Sequence, residues 1–196
     1  MEELLSFLNG ISSAEGWPLS AGCLEYLRKT IKKRSLKEKE NLLKPGQVCK
    51  NLYFIKKGLL KCYYMVGKKK VSDWFFGESE TVVSIDSFYD QVKSKDFIQA
   101  LEDCELFYIS YKELQYLYRN HIEFNVIGRV LTNKYLRKWH EQAKNIRMLT
   151  AKERYLLLLK NQPELINRVP VKDIASYLDM EPATLSRMRD HKRKAP

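Results

Sequence analysis

The chain has 196 residues, enough for one large domain or two small ones. Lys and Arg number 35 against 24 Asp and Glu, a formal charge of +11 that favours a polyanionic partner, nucleic acid or anionic membrane. The start, Met-Glu-Glu-Leu-Leu-Ser, lacks the basic flank of a signal peptide, and no apolar run approaches bilayer length; a cytoplasmic protein without a membrane segment is expected.

Residues 1–8 read as a short helix and residues 9–19, with Gly10, Gly16 and Pro18, as a loop. Ser20 is placed to cap a helix whose stripe is Leu24, Leu27 and Ile31. Residues 29–39 are strongly basic and read as a solvated face. From residue 36 to 111 the pattern is that of short strands: Leu52-Tyr-Phe-Ile, residues 59–66, 71–76, 97–101 and 105–109. Lys44-Pro-Gly-Gln, Lys56-Lys-Gly58 and the Gly67 tip supply turns, and the set suggests a barrel or sandwich.

Ser110 can cap a short helix through Tyr118, and a long Pro-free helix follows over residues 122–147. Phe124, Ile127, Leu131, Tyr135, Trp139 and Ile146 fall on one face, and Ile122, Val126 and Val130 on a second. A helix apolar on two sides touches two surfaces. One is read as the chain's own β-structure and the other as the equivalent helix of a second copy, with Ile127, Leu131 and Tyr135 as expected dimer contacts. Thr150-Ala-Lys-Glu153 is a capping box that opens the next helix, so a hinge is expected near residues 148–150. This gives three units: 1–120, a β-domain with flanking helices; 121–148, a dimerisation helix and hinge; and 149–196.

Residues 167–191 read as helix, tight turn, helix. Ile174, Tyr177 and Leu178 make an apolar stripe, and Ala175 is small where a second helix must cross. Asp179 takes the turn position that favours a left-handed residue, and Pro182 suits the first position of the second helix. On that helix Thr184, Leu185 and Met188 point toward the first, while Pro182, Ala183, Ser186, Arg187 and Asp190 point outward. A helix of this kind suits the major groove, where Arg reads guanine O6 and N7. Arg187 is the expected base reader. Thr184 and Ser186 suit phosphate oxygens, Arg189 and Lys192 flank as charge, and Pro182 and Ala183 offer apolar contact.

The segment Lys172-Asp-Ile-Ala-Ser-Tyr-Leu-Asp-Met-Glu-Pro-Ala-Thr-Leu-Ser-Arg-Met resembles the C-terminal motif of the Crp/Fnr (catabolite activator protein) regulators. The upstream order Pro-Gly, Leu-Tyr-Phe-Ile-Lys-Lys-Gly, Phe-Phe-Gly-Glu, Cys-Glu-Leu-Phe-Tyr-Ile-Ser-Tyr is similar to the cyclic-nucleotide-binding β-roll. The resemblance implies an α+β chain: an N-terminal jelly-roll-like β-roll sensor, a long dimerisation helix and a C-terminal helix-turn-helix domain. It implies a homodimer on a palindromic double-stranded DNA operator, RNA polymerase as a further partner, and no enzymatic activity.

In that family a Gly-Glu pair and an Arg-Ser pair hold the nucleotide. Gly77-Glu78 is present, but the Arg-Ser pair should fall at Ser94-Lys95, and no Arg occurs between Arg34 and Arg119. Lysine lacks arginine's bidentate fork, so cyclic AMP is not the expected effector. Cys23, Cys49, Cys62 and Cys104 have neither C-x-x-C spacing nor the clustered N-terminal cysteines of the family's oxygen sensors, so free thiols, no iron–sulfur cluster, no metal and no cofactor are expected. A cupin-type metalloenzyme would need strand histidines, whereas His121, His140 and His191 all fall on predicted helices. The other reading left open is a cyclic-nucleotide-binding module that does not act on DNA.

Overall fold

The structure is a computed structural model that describes residues 1–193, with side chains described through Arg189. Two helices open the chain, α1 (Glu2–Ala14) and α2 (Ala21–Thr30). The stretch read as a loop from residue 9 is helical to Ala14. Leu8 and Ser12 are buried beside Leu4 and Leu5, so packing overrides the cost of Gly10, about 1 kcal/mol. Ser20 caps α2 by accepting from the Cys23 N–H, as its sequence position predicts.

Eight strands follow: β1 (Lys32–Leu36), β2 (Asn41–Leu43), β3 (Asn51–Lys57), β4 (Leu60–Val66), β5 (Lys69–Phe76), β6 (Thr81–Val82), β7 (Phe97–Ala100) and β8 (Cys104–Ser110), with a short α3 (Ile85–Tyr89) after β6. They form two four-stranded antiparallel sheets, β1-β8-β3-β6 and β2-β7-β4-β5, closed face to face over one core. The basic stretch at residues 29–39 is partly edge strand β1: its lysines are exposed, as a solvated face requires, but its backbone pairs with β8. Gly58 turns the chain at φ +104°, and a Cβ there would lie 2.6 Å from Cys104 Sγ. All four cysteines are free and buried.

Helix α4 (Tyr111–Asn120) opens with a capping box between Ser110 and Glu113 and leads to α5 (Ile122–Met148). Phe124 and Ile127 are buried in the chain's own core, where α5 packs on α1 and α4, and the Thr81 N–H of β6 donates to the Tyr135 hydroxyl at 2.7 Å. Two of the expected dimer contacts are therefore corrected: Ile127 is buried in the chain's own core, Tyr135 is bonded to the roll, and Leu131 on the same face is half-buried beside them. The free face is the opposite one, with Ile122, Leu136 and Met148 exposed and Val126 and Val130 partly so.

After Leu149 come α6 (Ala151–Asn161), α7 (Leu165–Arg168), α8 (Val171–Tyr177) and α9 (Pro182–Arg193). The Thr150–Glu153 capping box forms as read. Asp179 adopts φ +50°, while Met180 N–H reaches Ala175 C=O and Asp179 N–H reaches Ser176 C=O. That is a Schellman ending, and it sets the tight turn between α8 and α9.

Candidate nucleic-acid interface, roll cleft and domain contact

Leu185 of α9 is fully buried, as are Ile174 and Ala175 of α8, the helix on which α9 packs, and this orients α9. Pro182, Ala183, Ser186 and Arg187 lie exposed on its far side, and Thr184 is half-buried at the edge. Arg187 makes only long contacts, 3.4 Å to Ala183 C=O and 3.5 Å to Thr184 Oγ1, so its guanidinium is available to a ligand. Arg189 is half-buried and reaches back toward Ile166 C=O at 3.5 Å. Lys192 lies outside the described side chains.

Of the residues expected at a nucleotide site, Glu78 and Ser94 are each engaged by other groups. The Glu78 carboxylate accepts from Gly58 N–H at 2.9 Å and takes a bidentate fork from Arg168, which holds it well below the usual range, at about 2. Ser94 is buried, bonded to Ser84 Oγ and to Asp96, while Lys95 is exposed. Ser84 also donates to the Asp96 carboxylate at 2.7 Å. Burial, followed by the charge of Asp96, raises Asp73.

A cleft of about 530 Å³ separates the roll from α5, lined by Phe76, Val83, Tyr89, Leu131, Tyr135 and Trp139 among others. Its lining includes none of Gly77, Glu78, Ser94 and Lys95.

A third feature was not legible in the sequence. The Lys61 ammonium of β4 meets the Asp173 carboxylate of α8 at 2.8 Å, each side chain 7% exposed. Around this pair, Tyr177 meets Trp74 and Phe75 edge-on at 6.0 and 5.2 Å, and Ser72 N–H donates to Ser176 Oγ. Arg168 bridges both Glu78 and Glu102. Arg154 of α6 donates to the carbonyls of Leu149, Leu178 and Asp179, tying the hinge to the turn of the helix pair.

Residues 33–121 match the cyclic nucleotide-binding domain family. Solved structures extend the likeness along the chain. They share the fold of this chain. Of the neighbours, the cyclic-di-GMP-responsive global regulator CLP of Xanthomonas campestris is 20% identical, with a TM-score of 0.68 and 89% of this chain and 92% of that one covered. FixK2 of Bradyrhizobium japonicum is 15% identical, with a TM-score of 0.72 and coverage of 82% and 83%. A Crp/Fnr-family transcriptional regulator of Eubacterium rectale is 14% identical, with a TM-score of 0.70 and coverage of 89% and 84%. No curated protein matches the chain in sequence. Among the described residues no helix is long and apolar enough to cross a membrane.

Proposed function

We propose that the chain is a non-enzymatic, cytoplasmic transcription regulator of Crp/Fnr type that binds a palindromic operator as a homodimer and contacts RNA polymerase. The observation that carries the reading is α9: a helix anchored by Leu185 presents Pro182, Ala183, Ser186 and an unengaged Arg187 on one exposed face. The free apolar stripe of α5 supports self-association, and half-sites about one helical turn apart follow from a two-fold dimer. Binding-site selection tests the assignment. Arg187→Ala should cost roughly 1–3 kcal/mol at one base pair and relax specificity there. An even loss over all sequences with an unchanged consensus makes Arg187 a phosphate clamp instead. A module that does not act on DNA would give no gel shift at all.

Cyclic AMP is not the effector in this reading, because no Arg occurs between Arg34 and Arg119 and the expected Arg-Ser pair is Ser94-Lys95. Calorimetry should show no binding at micromolar cyclic AMP, and a micromolar Kd would overturn this part. The cleft beside α5 is where another effector, if the chain has one, finds room.

A further inference from the structure

A separate cluster joins the N-terminal helices to the head of α5, remote from α9. Cys23, in the first turn of α2, is fully buried. His121 is not within a helix as its sequence context suggested; it caps α5, and Glu123 stands two residues on. One ligand atom from each of Cys23, His121 and Glu123 lies within 4.8 Å of the other two. Glu123 is 9% exposed. Its Oε1 accepts from Ser20 Oγ at 2.6 Å and from Ser20 N–H at 3.3 Å. Among the described residues no Lys or Arg pairs with it, and the nearest group able to carry positive charge is His121, with Nδ1 at 3.7 Å. The buried Asp173, by contrast, has Lys61. Buried charges are as a rule paired or bound to metal. Here a chain rich in lysine and arginine surrounds a buried carboxylate with a thiol and an imidazole instead. Tyr26 and Tyr116 hold the imidazole in place, each ring centroid 6.2 Å from it.

We propose that Cys23, His121 and Glu123 form a binding site for a divalent transition metal of zinc type. Thiolate, imidazole and carboxylate are the donors zinc takes, whereas calcium and magnesium select oxygen. Bonds of about 2.0–2.3 Å in tetrahedral geometry put ligand atoms roughly 3.5 Å apart, so rotamer adjustments of about 1 Å close the cluster. Binding forms the metal–sulfur bond and releases the Cys23 proton to solvent. Water or Ser20 Oγ completes the coordination. The ion would clamp α2 to the start of α5, and this inference stands independently of DNA binding.

The test uses the tag-free full chain, with Zn²⁺ followed by calorimetry and Co²⁺ by its sulfur-to-metal charge-transfer band. One ion per chain and a Co²⁺ band are expected. Cys23→Ser should abolish the band and weaken Zn²⁺ binding at least ~100-fold, and His121→Gln or Glu123→Gln at least ~10-fold, since even outer-shell losses cost 10–100-fold. Cys49→Ser should change neither. Absence of stoichiometric binding at micromolar Zn²⁺, or a band that survives Cys23→Ser, overturns the site. Should the variants misfold, the wild type decides: Zn²⁺ must raise its melting temperature, and an unchanged melt is equally fatal to the proposal.

Discussion

Replacing Lys61 with Met strands the Asp173 carboxylate in a site where its side chain is 7% exposed. Removing one partner of a buried ion pair costs about 3–5 kcal/mol when the structure cannot relax. This structure has a way to relax, because the pair lies between the roll and α8, and separating the two returns Asp173 to water. What resists separation can be itemised. The edge contacts of Tyr177 with Trp74 and Phe75 contribute about 0.5–1.5 kcal/mol each beyond their buried area. The Ser72–Ser176 hydrogen bond contributes about 1 kcal/mol. The partly exposed Arg168 bridges contribute about 0–1 kcal/mol each after solvent screening. These are of the same order as the penalty, so the expected outcome is release of the C-terminal helices with the roll still folded. Hydrogen exchange at the Ser72 N–H reads this directly, and small-angle scattering should show expansion. Lys61→Met with Asp173→Leu removes both charges and should restore docking, since apolar replacement of a buried pair is often neutral or better. Retained Ser72 protection in the single variant, or a double variant as expanded as the single, would refute the reasoning.

Two further outcomes follow from the same contacts. Glu78 is depressed from 4.5 to about 2 by Arg168, so its contribution to docking is complete above pH 4.5 and is lost as pH falls from 4.5 toward 2. Exchange at Ser72 should accelerate across that window in the wild type, and Arg168→Ala should remove that component of the pH dependence. On α5, Val130→Glu with Leu136→Glu should give a folded monomer by sedimentation, whereas a charge at Ile127, 1% exposed, should unfold the roll; an unchanged dimer in the first variant removes α5 as the interface.

The local signals were readable because each rests on residues close in sequence. Ser20, Ser110 and Thr150 bond within three residues of themselves, and Asp179 closes a turn formed from Ala175 to Met180. Periodicity also found the two apolar faces of α5. It could not decide which faced the roll, because Val130 and Leu131 are alike in hydropathy and differ only in the surface they meet. The basic stretch before β2 was missed as strand because its lysines point to solvent while the ladder to β8 uses backbone alone. Lys61 with Asp173 and Arg168 with Glu78 lie 112 and 90 residues apart, and nothing in the spacing of a Lys on a strand announces its partner on a distant helix. The Cys23, His121 and Glu123 cluster escaped for the same reason: its ligands come from two separated helix starts rather than one spaced motif.

The domain contact also bears on how a dimer would read DNA. The outward face of α9 is exposed while α8 sits on β5, so docking does not hide the side chains proposed to read DNA. What docking controls is position. Trp74 meets Trp139 of α5 edge-on at 6.2 Å and Tyr177 of α8 at 6.0 Å, and Gln142 of α5 donates to the Tyr177 carbonyl at 3.3 Å. The helix proposed to carry the two-fold axis and the helix pair proposed to carry the reader are thus tied through one tryptophan on β5. Two readers must stand about 34 Å apart to occupy successive major grooves. A chain that holds α8 rigidly relative to α5 meets that spacing without paying to order the hinge, and a chain with the contact released samples many spacings. The same loss of affinity is therefore expected from Lys61→Met and from a longer linker at Leu149, although neither touches DNA.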